Sequence, residues 1–257
     1  KNGSWGFASN SDITDASIKE VIKAANNNAV FLDSRLRLQK ELLPKTCGNM
    51  EKDFRSKKLA VSQGEIREFL KTLDEYIAQK YPAVVQRYVG VRGLSMEKTL
   101  LTSDNVNFYS FIPQTTIIVQ LTLVKDGVPV NIFDAFGGLG ELQEYLINPE
   151  KLYDDIDKLY QLLVEKSEGV RPRAGFTEVI LDTDIAGILA HEAIGHTTEA
   201  DLVIGGSIAG EYMNKTVASP LVTLIDFAHT YNGKTLGMPI FVDDEGTVAE
   251  DVVIIEN

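Results

Sequence analysis

Cysteine is nearly absent from this sequence: Cys47 is the single example in 257 residues. That excludes an internal disulfide and any zinc site built from several thiolates. No apolar run approaches the roughly 18 residues of a membrane-spanning helix, and no secretory pattern is visible, so no membrane association is expected and the expected location is cytoplasmic. Basic residues are also scarce. With 25 Lys and Arg against 37 Asp and Glu, the net charge of −12 repels a phosphate backbone, and direct nucleic-acid binding is not expected. Histidine occurs three times.

Two of those three histidines fall together, in His191-Glu192-Ala193-Ile194-Gly195-His196. From Ile185 to Gly195 Glu192 is the one charged residue other than histidine, in a stretch that otherwise reads as buried helix. A lone histidine on an apolar helix is by default a core residue donating to a carbonyl. Three ionisable groups in six residues, with no Lys or Arg beside them, need a different partner. A divalent metal with a polarised water satisfies all three. The spacing is i, i+5, which on a regular helix separates the two side chains by about 140°. Convergence on one ion therefore predicts a π-type widening, or a helix ending just before His196, and Gly195 tolerates either distortion.

Hydrophobic spacing along the chain predicts two kinds of organisation. Ser11 to Thr14 offers caps for a helix through Ile18, Val21 and Ile22 that ends at Asn26-Asn27-Asn28. Ser62 and Glu65 have capping-box spacing ahead of a helix running to Lys80. The period then shifts to two. Val84–Val91, Lys98–Ser103, Asn107–Ile112 and Thr115–Val124 read as successive strands, with a hairpin turn at Lys125-Asp126-Gly127 into Val128–Phe133. Helical spacing resumes over Leu152–Lys166, and Glu168–Gly175 reads as a linker. Thr177–Leu181 reads as a strand, Asp182 or Thr183 as an N-cap, and Asp184 to about Glu199 as the metal helix, apolar on nearly every side and so expected to be buried. Val217–Asp226 and Pro239–Glu256 read as β segments. Gly137-Gly138-Leu139-Gly140 reads as a flexible turn, Gly205-Gly206 as a loop, and Asp243-Asp244-Glu245 as a solvated acidic turn.

Three motifs carry a resemblance. HEAIGHTTEAD at 191–201 resembles the H-E-x-x-x-H segment of the TldD half of the TldD/PmbA family, zinc peptidases once described as modulators of DNA gyrase. Gly3–Ser9, GSWGFAS, is similar to the family's amino-proximal segment, and Asp243-Asp244-Glu245-Gly246-Thr247 resembles its D-D-E-G-T run. The resemblance implies zinc held by His191 and His196, with Glu192 as the general base that takes a proton from a metal-bound water and passes it to the leaving amine. The family's third ligand is a cysteine near the carboxyl end of a longer chain, and no position here matches it. Cys47, in a loop-like stretch far upstream, is not nominated, and His229 and Glu199 are stand-ins by ligand type alone.

The opening on Lys1 without a methionine, and the stop at Asn257 after a strand-like run, lead to the expectation that this is the middle of a protein approaching twice the length. The fold class expected is α+β. An amino-terminal α/β domain over 1–170, with a mainly antiparallel sheet and flanking helices, precedes the start of a mostly β carboxyl-terminal domain over 176–257 that carries the buried metal helix. The resemblance implies a peptidase acting on unfolded or small peptides, paired with a PmbA-like subunit or with its own copy. Two other readings stand beside it: a non-catalytic binding or regulatory subunit of the gyrase-modulator type, for which the HEAIGH residues would be dispensable, and a structural zinc protein with four closed ligands.

Overall fold

The computed structural model describes residues 5–35, 48–103 and 105–257, with Arg35 described by its backbone alone. Cys47, Gly3 and Ser4 lie outside the described residues. Helix α1 (Asp15–Arg35) is followed by strand β1 (Gly48–Asp53), helix α2 (Gln63–Lys80) and three long strands, β2 (Gln86–Leu101), β3 (Val106–Lys125) and β4 (Val128–Leu139). A short helix α3 (Leu142–Tyr145) and a 3₁₀ turn at Pro149–Leu152 lead into α4 (Tyr153–Glu168).

Local chemistry explains the boundaries. The capping box at α2 forms as its spacing predicts: Glu65 N–H donates to Ser62 Oγ at 3.2 Å, and Ser62 N–H to Glu65 Oε2 at 2.7 Å. Asp126 and Gly127 take positive φ values of 51° and 78°, the two-residue turn whose twist matches the flanking strands. Helix α1 continues through the three asparagines, because Asn28 Nδ2 donates to Phe7 O at 2.8 Å instead of forming a turn. Gly6 lies against the same helix turn, where a Cβ would come within 2.0 Å of Ala25 O. The Gly6-Phe7 part of the amino-proximal motif thus packs on α1.

Strand β3 is the axis of the sheet. β2 runs antiparallel along one edge, from Gln86↔Thr122 to Leu101↔Asn107. The other edge is shared end to end. β4 pairs antiparallel over Gln114 to Lys125, and β1 pairs parallel over Val106 to Phe111. Pro113 sits at the seam. The Pro113 carbonyl accepts from Gly140 N–H on the β4 side, so its missing N–H faces the same seam, where no ladder donor is required.

The expected four strands between residues 84 and 124 are therefore two. Burial along β3 falls on even positions up to Ile112 and, Thr122 apart, on odd positions from Pro113, while the register with β2 runs unbroken. Ile117, Val119, Leu121 and Leu123 pack with Phe69, Leu73 and Ile77 of α2 and Ile156, Leu159 and Leu163 of α4. Val106, Phe108 and Ile112 pack with Phe241 and Val242 of the carboxyl-terminal segment. One strand thus builds two cores on opposite faces. Gly137-Gly138-Leu139 belongs to β4 and is not a loose turn. Gly137 has φ +130°, and a Cβ there would come within 2.1 Å of Thr115 O.

The carboxyl-terminal third is helical before it is β. Thr177–Leu181, expected as a strand, is irregular and exposed. Helix α5 (Thr183–Ala190), a π-turn (His191–Gly195), α6 (His196–Thr198), α7 (Ala200–Ile204) and a 3₁₀ turn (Ile208–Tyr212) follow. The strands beyond are short: β5 (Leu224–Asp226) pairs antiparallel with β8 (Val252–Ile255), and β6 (Thr230–Tyr231) with β7 (Lys234–Thr235). The mixed α+β class stands, with this region less β-rich than its composition suggested. No helix among the described residues is long and apolar enough to cross a membrane.

Candidate metal centre

Asp182 starts the helix that carries the site, its Oδ1 accepting Ile185 N–H at 2.9 Å. α5 then runs regularly to Ala190. At His191 the backbone widens, and the His196 N–H donates to His191 O, five residues back. That π-turn is the distortion the i, i+5 spacing requires. The imidazoles of His191 and His196 stand 4.4 Å apart, centre to centre, at 66°. Ligand atoms of His191, Glu192 and His196 all lie within 4.8 Å of one another, and this is the one such group among the described residues.

Hydroxyls satisfy carbonyls at the end of the widened turn. Thr197 Oγ1 donates to Ile194 O at 2.8 Å, and Thr198 Oγ1 donates to Gly195 O at 2.9 Å. Ser207 Oγ donates to Thr197 O at 2.6 Å, tying the following loop, Gly205-Gly206 included, to the site. None of these three roles was legible beforehand, since a π-turn redistributes backbone acceptors in a way no residue spacing announces.

His196 has carboxylates on both ring nitrogens. Nδ1 lies 2.6 Å from Glu199 Oε1, and Nε2 lies 3.8 Å from Glu192 Oε2. The hydrogen bond to Glu199, with the negative charge of both carboxylates, raises the His196 pKa above its ordinary value, against a smaller opposing effect of burial.

The helix is not buried, contrary to its apolar composition. Ile185, Ile188 and Leu189 are more than half exposed, and the Glu192 side chain is 65% exposed. The reason is packing. Helix α5 makes its substantial contact with the π-turn that continues it, and among the described residues no sheet or helix of the amino-terminal part packs extensively on it. Glu192 therefore needs no buried countercharge, and the case for a metal rests on convergence of donors.

On that convergence the residues fit a metal. The two imidazoles are borderline-soft nitrogen donors suited to zinc, donors on one zinc ion stand about 3.4 Å apart, within side-chain adjustment of the observed spread, and the Glu192 carboxylate lies beside them. The stand-ins fare differently. Glu199 lies against the far nitrogen of His196, while His229 is outside the group and stacks on Phe241 at 5.2 Å.

The other motifs are structural among these residues. Asp243 Oδ1 accepts from Glu245 N–H at 3.0 Å and Thr247 N–H at 2.7 Å. Lys98 Nζ on β2 reaches Asp244 Oδ1 at 2.6 Å and the carbonyls of Val242 and Asp243 at 3.3 Å. Gly246, at φ +94°, abuts Val106. The D-D-E-G-T turn is thus a latch onto the sheet.

Residues 174–257 match the family model described as the PmbA/TldA metallopeptidase C-terminal domain. The whole chain is similar to the zinc metalloprotease TldD homolog of Saccharolobus solfataricus, 26% identical and covering 54% of that protein. Residues 174–257 thus carry the family's C-terminal domain, and the likeness of the whole chain to a TldD homolog supports the TldD/PmbA family. It is also similar to metalloprotease MJ0996 of Methanocaldococcus jannaschii, 27% identical over 79% of this chain and 44% of that protein. In fold it is similar to the crystal structure of TldE from Thermococcus kodakarensis, with a TM-score of 0.56 and 18% identity over all of this chain and 56% of that one. The chain spans about half the length of the curated relatives it matches. Both curated relatives are named as metalloproteases.

Proposed function

We propose that the protein is a zinc-dependent peptidase in which His191 and His196 hold the metal and Glu192 is the general base. The observation that carries this reading is the π-turn, which bends an i, i+5 pair of histidines onto one side of the chain beside a carboxylate. Bound there, zinc would supply Lewis-acid polarisation of a water and of the scissile carbonyl. Glu192, exposed and beside the histidines, takes the proton from the attacking water and delivers it to the leaving amine. The relatives' names, zinc metalloprotease and metalloprotease, support the same class. The substrates we propose are unfolded or small peptides, and the partner a PmbA-like subunit or a second copy. The domain division we propose falls between residues 170 and 176, in the exposed stretch ahead of α5.

Zinc content settles the first step. Elemental analysis of the full-length protein and its His196→Ala variant, after dialysis without chelator, is expected to give about one zinc per chain in the former and none in the latter. Absence of metal from both removes the reading and leaves the histidines without a catalytic role.

A further inference from the structure

The chain breaks direction at Glu199, and that break places its carboxylate. Glu199 ends α6 and begins α7 with φ −57° and ψ 131°. Its carbonyl starts α7, accepting Val203 N–H at 2.9 Å. Its side chain makes no hydrogen bond to the new helix, although it occupies the N-cap position. It turns back three residues instead, to His196 Nδ1 at 2.6 Å.

We infer that Glu199 is a positioning residue that fixes the ring orientation and tautomer of His196. An ionised carboxylate only accepts hydrogen bonds, so the Nδ1 of His196 must be the donor. The lone pair of the neutral ring is then on Nε2, the nitrogen that faces Glu192 Oε2 at 3.8 Å. A carboxylate on the outer nitrogen of a ligating histidine both orients the ring and raises its basicity as a donor. Without it, neutral imidazole places its proton preferentially on Nε2, the wrong nitrogen for ligation on this side. Thr197 and Thr198, bonded back to the turn, hold the two residues between in place. The inference rests on the reading of His196 as a metal ligand, but its effect on the ring is measurable without metal.

The test has two arms in the full-length protein. In metal-free samples at alkaline pH, ¹⁵N NMR of His196 is expected to show the Nδ1–H form, to keep it in Glu199→Gln, whose amide oxygen still accepts, and to move towards Nε2–H in Glu199→Ala. In zinc titrations against a competing chelator, Glu199→Ala is expected to weaken affinity roughly 10- to 100-fold, and Glu199→Gln distinctly less. An unchanged tautomer in Glu199→Ala overturns the inference. So does an equal loss of affinity in both variants accompanied by a loss of helical circular dichroism, which marks a purely structural role. Should the unsubstituted protein bind no zinc, the peptidase reading fails on its own and the tautomer arm still decides whether Glu199 sets the ring.

Discussion

In the proposed mechanism Glu192 moves a proton and His196 holds an ion, and the two roles separate by substitution. Glu192→Gln keeps the shape and both histidines while removing the base, so it is expected to retain zinc and to lose peptide hydrolysis by roughly 10²- to 10⁴-fold. Undiminished turnover by that variant would remove Glu192 from the mechanism. His191, Glu192 and His196 were legible because they are rare letters placed close together in an uncharged run, and Gly195 marked where the helix would deform. Glu199 was legible only as a ligand type. Its work depends on a backbone break at its own ψ, which spacing does not encode. Burial of the helix was misread for a related reason: apolar composition reports which face wants covering, and Ile185, Ile188 and Leu189 are left uncovered by the elements described.

At the scale of elements, helices α2 and α4 are joined by a polar cluster above their shared core. Asp157 accepts from Tyr76 at 2.6 Å, from Lys80 at 2.5 Å and from Tyr81. Tyr76 stacks on Tyr153 at 3.6 Å and Tyr81 on Tyr160 at 3.9 Å. Burial pushes the Asp157 carboxyl up, but the three hydrogen bonds together outweigh it and leave the carboxyl below its ordinary value. A carboxyl depressed in the folded state contributes stability above its unfolded pKa of about 3.9 and loses it as pH falls through the folded value. Lys80 and Tyr81 are raised, Lys80 mainly by its hydrogen bond to Asp157 and Tyr81 mainly by burial, so their contribution is lost on the alkaline side. Asp157→Asn is expected to cost about 1 kcal/mol at neutral pH, and the gap from the parent to close below about pH 4. Denaturant midpoints at pH 3, 5 and 7 check this, and a gap independent of pH would refute it. The paired strands illustrate what periodicity conceals. The buried parity of β3 changes phase at Pro113, and a phase change in sequence looks like a strand end when it is a change of covered face.

Across the whole molecule, one core ties β3 to α2 and α4, and the other ties it to the segment that follows the His191–His196 turn, through Phe241, Val242 and the Lys98 latch. The D-D-E-G-T motif could be recognised in the sequence, but its role could not, because Lys98 and Asp244 are brought together only by the completed fold. The shared edge of β3 also has a consequence in time. β2, β3 and β4 follow one another through short turns, so their pairing closes small loops, whereas β1 must find β3 across all of α2 and β2. Loop closure favours the meander as the nucleus and makes parallel β1 the last strand to dock and the first to detach. Native-state hydrogen exchange is expected to show β1 amides opening at a lower free energy than those of Ile117 to Leu121 in β3, and a single common opening energy would contradict that order. The second core, which is roofed by Met50 of β1 and by Phe54 just past that strand's end as well as by Phe241, would then be assembled last, so the carboxyl-terminal segment completes a sheet that has already formed without it.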